Sequence, residues 1–261
     1  MNTVVTDRDT AIVRLPDPTV LPEFTPDMAS IRRERIVGFG TRNIDARPFN
    51  LLRTQVAKKC AANGWSSIGI TSAAPAAGKS MISVNLAASL SRVGDMPVYL
   101  FDFDLTRASV ADYLGMEPQV GIEAYLDGRV DDLAQVGVRV ADTSLVVFPA
   151  AEPADNTAEL LASPRFQELT ASFRAASSPR LILCDLPPTF ANDDAMIATQ
   201  QMDAYLLVVD AGQTTRRQIQ DSCKMLEPTP RLGAVLNRYQ GGFSDPYGYG
   251  SYKGAYSAYY Y

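Results

Sequence analysis

Six short apolar runs punctuate the chain: SIGIT (67–71), VYLFD (98–102), SLVVF (144–148), LILCD (181–185), AYLLVVD (204–210) and LGAVLN (232–237). They are continuous rather than alternating, as strands buried on both faces of a parallel sheet require. Helical patterns separate most of them. After Lys79, the residues Ile82, Leu86 and Leu90 recur every four positions and draw one apolar stripe. Ser163 and Pro164 read as an N-cap and a first-turn proline, followed by Phe166, Leu169 and Phe173 on one face. Another helix is expected over LLRTQVAKKCAA, stopped by Gly64. Strands alternating with helices predict an α/β domain, a doubly wound and mostly parallel sheet, over residues 46–238.

The flanks read differently. Residues 1–45 scatter Pro16, Pro18, Pro22 and Pro26 among mixed charges without periodicity, and are expected to form a mostly irregular arm. Residues 239–261 collapse to Gly, Ser and Tyr, the composition of a disordered tail. Seven of its last fifteen positions are tyrosine: Tyr247, Tyr249, Tyr252, Tyr256, Tyr259, Tyr260 and Tyr261. No Leu, Ile, Val or Phe lies among them, so these phenols cannot build a core of their own.

Composition removes several kinds of chemistry. The net charge of -5 over 261 residues argues against nucleic acid as the main partner. The chain has no histidine, which excludes histidine bases, Ser-His-Asp triads and histidine-ligated metals. Cys60, Cys184 and Cys223 are too scattered for a zinc or disulfide framework and read as reduced thiols. The first residues hold no signal-peptide core and no stretch approaches a membrane span, so a cytoplasmic protein without a span of its own is expected.

Three segments carry chemistry. AAPAAGKS, residues 73–80, fits the pattern [AG]-x(4)-G-K-[ST] and falls between an apolar run and a helical stripe. The small residues Ala74, Pro75, Ala76, Ala77 and Gly78 let backbone N–H groups wrap phosphates, and the helix start through Met81 adds partial positive charge. Lys79 can then reach the β and γ phosphates and the Ser80 hydroxyl can ligate Mg2+, so ATP and Mg2+ are the expected cofactors. Asp185 ends the run LILCD, where a second carboxylate would hold Mg2+ directly or through water. Asp102 and Asp104 close VYLFDFD one residue apart, on one side of an extended chain, with Mg2+ expected as the cation between them.

In this order the segments resemble the Walker A, Walker A′ and Walker B motifs of the bacterial tyrosine kinases of exopolysaccharide and capsule synthesis, in their stand-alone cytoplasmic form. The likeness extends to GIEAYLDGRVDDLAQ, AELLASPRF, the DLPP turn, DDA at 193–195 and LGAVLN. It implies a P-loop ATPase fold related to MinD and ParA. It implies an ATP-dependent autokinase that phosphorylates its own C-terminal tyrosines and regulates polysaccharide polymerisation and export. Lys79, Asp102, Asp104 and Asp185 would be catalytic, with Ser80, Asp102 and Asp185 on the metal and Asn237 near the adenine. A membrane-spanning chain-length protein would be the activating partner and would bring the chain to the inner face of the membrane.

Three motifs depart from that pattern. Thr106 fills the arginine slot of the second motif, with Arg107 one step late, and Ala76 replaces a common glycine. In the helix that bears E-x-x-R-x-x-R in the family, the corresponding residues are Arg47, Asn50 and Arg53, which alters the contact expected of a homo-oligomer. These departures keep open a nucleotide-binding regulator with little kinase activity. A ParA/MinD-type ATPase is the third alternative, although Ala74 occupies its early lysine position.

Overall fold

The computed structural model describes residues 13–40, 44–94, 96–174 and 179–240. The seven tail tyrosines lie outside them. Among the described residues eight strands form one sheet: β1 Glu23–Phe24, β2 Ser67–Ser72, β3 Val98–Asp102, β4 Val138–Val140, β5 Leu145–Phe148, β6 Leu181–Asp185, β7 Ala204–Asp210 and β8 Arg231–Asn237. Their spatial order is β1-β4-β5-β3-β6-β2-β7-β8, parallel throughout except between β4 and β5. The helices are α1 Met28–Arg33, α2 Arg47–Asn63, α3 Lys79–Ser91, α4 Val110–Leu114, α5 Ile122–Leu126, α6 Thr157–Ala162, α7 Pro164–Arg174, α8 Asp194–Thr199 and α9 Arg216–Met225.

Each of the six apolar runs is a strand. LGAVLN forms the edge strand β8, exposed at alternate residues because no strand lies beyond it among the described residues. The other five are buried along their length for a direct packing reason. Val98 and Leu100 of β3 enter the core on one face of the sheet, whereas Tyr99 and Phe101 enter the core on the other. Helix α3 covers the first face with Ile82, Leu86 and Leu90, and α7 covers the second with Phe166, Leu169 and Phe173. The Ser163 hydroxyl accepts the Phe166 N–H at 3.2 Å, so the expected cap is made. Gly64 ends α2 in the left-handed conformation at φ 69°. Cys60 and Cys184 are buried free thiols, and burial pushes Cys60 up to about 11.

The arm is more ordered than its composition suggests. Glu23 and Phe24 pair in parallel with Arg139 and Val140, adding an edge strand to the sheet. Asp27 caps α1 by accepting the N–H groups of Ala29 and Ser30. Beyond α1, the chain from Arg35 to Gly38 is held by one buried side chain of α3. The Asn85 carbonyl oxygen accepts the N–H groups of Val37 at 2.8 Å and Gly38 at 2.9 Å. Its amide nitrogen donates to Arg35 O at 3.1 Å and to Met81 O at 2.9 Å. A Cβ on Gly38 would sit 2.3 Å from the backbone carbonyl oxygen of Asn85, so the chain can approach α3 this closely only without one.

Candidate active site

Strand β2 lies between β6 and β7, and its chain leaves the carboxyl end of the sheet at Ser72. In open α/β sheets that end, beside crossing connections, is where ligands gather. The loop 73–78 then turns back into α3 at Lys79. The Ser72 hydroxyl donates to Ala74 O at 2.8 Å and steadies the first turn. Two residues adopt left-handed backbone, Ala76 at φ 60° and Gly78 at φ 90°. For Ala76 this costs about 1 kcal/mol, which is the physical reason a glycine suits that position.

Gly78 is constrained from outside the loop as well. The Asn237 amide nitrogen, at the end of β8, donates to Ala77 O at 2.8 Å, and a Cβ on Gly78 would meet that nitrogen at 2.3 Å. Gly78→Ala is therefore expected to lose the Asn237 bond and to strain the turn by about 1–2 kcal/mol. Calorimetric titration with MgATP should show affinity reduced about tenfold or more, with wild-type affinity contradicting the role given to this turn.

Charge is concentrated behind the loop. The Lys79 ammonium is buried, bonded to Asp104 Oδ2, 3.6 Å from Asp185 Oδ2 and 3.2 Å from the Ser80 hydroxyl. Burial works against its charge, but Asp185 and Asp104 outweigh this and raise its pKa. Asp185 accepts the Ser83 hydroxyl at 2.8 Å through Oδ1, while Oδ2 has no hydrogen-bond partner. Burial pushes the Asp185 carboxyl up, against the pull of Lys79.

Asp102 lies opposite Asp185 on the neighbouring strand. Its Oδ2 accepts the Val110 N–H at 2.9 Å and its Oδ1 accepts the Asp104 N–H at 3.3 Å. Burial, followed by the charge of Asp185, holds it well above the usual carboxylate range. So the two acids of the second motif do different things. Asp104 meets the lysine, Asp102 meets backbone, and the cation between the acids of the site is Lys79 itself.

The loop opens onto a cavity of about 470 Å3. Pro75, Ala76, Lys79, Ser80 and Asp104 line it, as do Thr106 and Arg107. Arg107 thus reaches the cavity despite its late position. Asp102 and Asp185 lie behind these residues with no exposed surface. Past Gly78 a broader groove of about 1200 Å3 continues between Met81, Phe49 and Asn237. Of the remaining loop residues, Ala77 is buried and Ala74 is half-buried.

The oxygens of these residues suit a divalent cation. Among the described residues no cluster of three or more His, Cys, Asp or Glu is arranged to enclose a metal. The Ser80 hydroxyl and the unpartnered Asp185 oxygen are oxygen donors of the kind that Mg2+ takes when it arrives with phosphates and water. Both Asp102 oxygens, by contrast, already accept backbone N–H groups.

Several residues of the site were not singled out from sequence. Ser83, which bonds Asp185, stands one helical turn beyond Lys79, a spacing that could have flagged it. Ser109, which donates to the Ser80 hydroxyl at 2.9 Å, carries no local signal. Nor does the pair Arg238–Asp210 at the cavity rim. On α2, Asn50 accepts from Arg92 at 2.9 Å and Arg53 donates to Ser89 O at 3.2 Å, so both positions are tied to α3 and its C-terminal end.

No protein-family profile matches the chain. Among curated proteins it is 28% identical over 210 residues to the tyrosine-protein kinase YwqD of Bacillus subtilis, covering 80% of this chain and 87% of that one. It is 33% identical over 178 residues to the tyrosine-protein kinase CpsD of Streptococcus pneumoniae serotype 4, covering 66% of this chain and 75% of that one. Other relatives are longer, and the chain spans only 25–30% of their length. Among solved structures, the kinase domain of the Escherichia coli tyrosine kinase ETK superposes with a TM-score of 0.72 at 25% identity, over 81% of this chain and 83% of that one. A likeness of fold alone runs to the septum site-determining protein MinD of Pyrococcus horikoshii complexed with Mg-ADP, with a TM-score of 0.56 at 22% identity over 67% of this chain and 70% of that one.

Proposed function

We propose that this chain, which belongs to the bacterial tyrosine-protein kinases, is an ATP-dependent autokinase that moves the γ-phosphoryl group of ATP onto the tyrosines of its own C-terminal tail. The observation that carries the reading is Lys79, at the head of a phosphate-sized loop, bound by Asp104 on the wall of the same cavity.

The backbone of residues 73–78 and the N-terminus of α3 receive the phosphates. Lys79 exchanges Asp104 for the β and γ phosphates, which places its charge where negative charge is redistributed during transfer. That exchange frees the Asp104 carboxylate beside the acceptor. A phenol has a pKa near 10, so a carboxylate able to take its proton removes the main obstacle to nucleophilic attack at neutral pH. Ser80 and Asp185 would hold Mg2+, with Asp102 orienting the loop that follows β3 through Val110 and Asp104. When bound, that ion neutralises phosphate charge and polarises the bond to the leaving group. Asn237 supports the phosphate loop and borders the groove that continues toward the base.

The tail supplies the acceptor. Tyr247, Tyr249, Tyr252, Tyr256, Tyr259, Tyr260 and Tyr261 would each gain about -1.5 to -2 charges on phosphorylation, enough for neighbouring tails to repel. Among the described residues no helix is long and apolar enough to cross a membrane. The family resemblance supports a membrane-spanning chain-length protein as the activating partner, the contact with the membrane and the link to polysaccharide polymerisation and export.

Incubation of the purified chain with MgATP, followed by mass spectrometry of the tail, tests the reading. Phosphotyrosine within residues 247–261 is expected, and truncation after Gly242 should remove at least about nine-tenths of incorporated phosphate. Incorporation that survives truncation unchanged would rule out the tail as the substrate. Nucleotide binding without any transfer, with the partner present, would favour the regulator instead.

A further inference from the structure

Arg238 stands where the phosphate cavity, the broader groove and a third hollow at the end of β7 and β8 meet. Its backbone is left-handed at φ 59°, and its N–H donates to the side-chain oxygen of Asn237 at 2.9 Å. The other end of that Asn237 amide donates to Ala77 O. Arg238 is thus fixed to the phosphate loop through one intervening side chain. Its guanidinium donates to Asp210 Oδ2 at 2.6 Å, with about half of the arginine side chain exposed and Asp210 largely buried.

Beside Lys79 and the Mg2+ that would come with the nucleotide, such a group adds positive charge at the cavity. Lys79 is already shared by Asp104 and Asp185, and Asp102 lies behind them. A nucleoside triphosphate adds several further negative charges. Among the described residues lining the cavity, the remaining cations are Arg107 and Arg238. A guanidinium carries five donors in a rigid fork suited to phosphate, and one bond to Asp210 leaves most of them for a ligand.

We infer that Arg238 binds the phosphates of the nucleotide, and that its pairing with Asp210 is the arrangement it leaves when nucleotide arrives. The inference rests on the ATP-dependent reading above and adds a residue to it. Asp210 is then a competitor for Arg238, so the two side chains act in opposite directions on affinity. A purely structural ion pair gives the reverse pattern, with loss of either partner harmful in the same way.

Isothermal titration of the full chain with MgATP and MgADP separates the two. Arg238→Gln is expected to weaken MgATP binding about tenfold or more, with Arg238→Lys recovering part of the loss. Asp210→Asn is expected to bind MgATP at least as tightly as wild type, by up to about threefold tighter. Wild-type affinity in Arg238→Gln overturns the proposal, as does an Asp210→Asn chain weakened as much as Arg238→Gln. A wild-type chain that binds neither nucleotide overturns it together with the functional reading, so the two failures are distinguishable.

Discussion

Lys79→Met is expected to cut phosphate transfer to the tail by about 100- to 1000-fold or more and to destabilise the fold more at alkaline than at acid pH. Transfer falls because the charge that meets the phosphates is removed. The stability effect comes from the same side chain's second task. Lys79 lies between Asp104 and Asp185, with all three side chains almost fully buried. Taking away one partner of such a pair costs about 3–5 kcal/mol, because the acids remain buried without their counter-charge.

The pH dependence arises from Asp102 and Asp185, whose carboxyls are raised chiefly by burial. The folded chain keeps protons there that the unfolded chain releases near a pKa of about 4. Their contribution to stability is complete below that value and is lost as pH rises through the raised folded values. Removing Lys79 deletes an influence that lowers both. The window of loss therefore extends further upward in the variant. Thermal melts of both chains from pH 5 to pH 8 should show a difference that widens with pH. A constant difference would mean that the acids are not titrating against this lysine.

Asn85→Leu is expected to lower stability by about 3–5 kcal/mol, or about 10 °C in melting temperature. Leucine keeps the volume but leaves the N–H groups of Val37 and Gly38 without the oxygen that accepts them. The Arg35 carbonyl also loses its donor. The damage should be local first, so limited trypsin digestion should cut faster within Arg32–Arg35 than elsewhere. A melting temperature within about 2 °C of wild type, or unchanged cleavage there, would show that this amide does not hold the arm.

The central strands β2, β3, β5, β6 and β7 were legible because they are buried on both faces, which writes an uninterrupted apolar run into the sequence at each one. The phosphate loop was legible because small residues, Lys79 and Ser80 must be adjacent in sequence to perform one task. The features that stayed hidden depend on partners distant in the chain. Glu23–Phe24 is too short to show a period and is a strand only because Arg139 and Val140 lie beside it. Asn85 sits in a helix read for its apolar stripe, and its polar partners come from 47 and 48 residues earlier. Likewise, the division of labour between Asp102 and Asp104 is set by where Lys79 and Val110 fall in space, although the two acids look equivalent in sequence.

Helix α3 is buried at twelve of its thirteen residues, Met81 being the exception. Amides in the later turns of so enclosed a helix are expected to be among the slowest of the domain to exchange with deuterated solvent. The foundation of the phosphate loop therefore belongs to the last part of the molecule to yield. Local melting of this helix cannot serve as a gate for the nucleotide. Any slow step in loading or release must fall to the segments around it, those bearing Arg107 and Arg238, whose amides should exchange first.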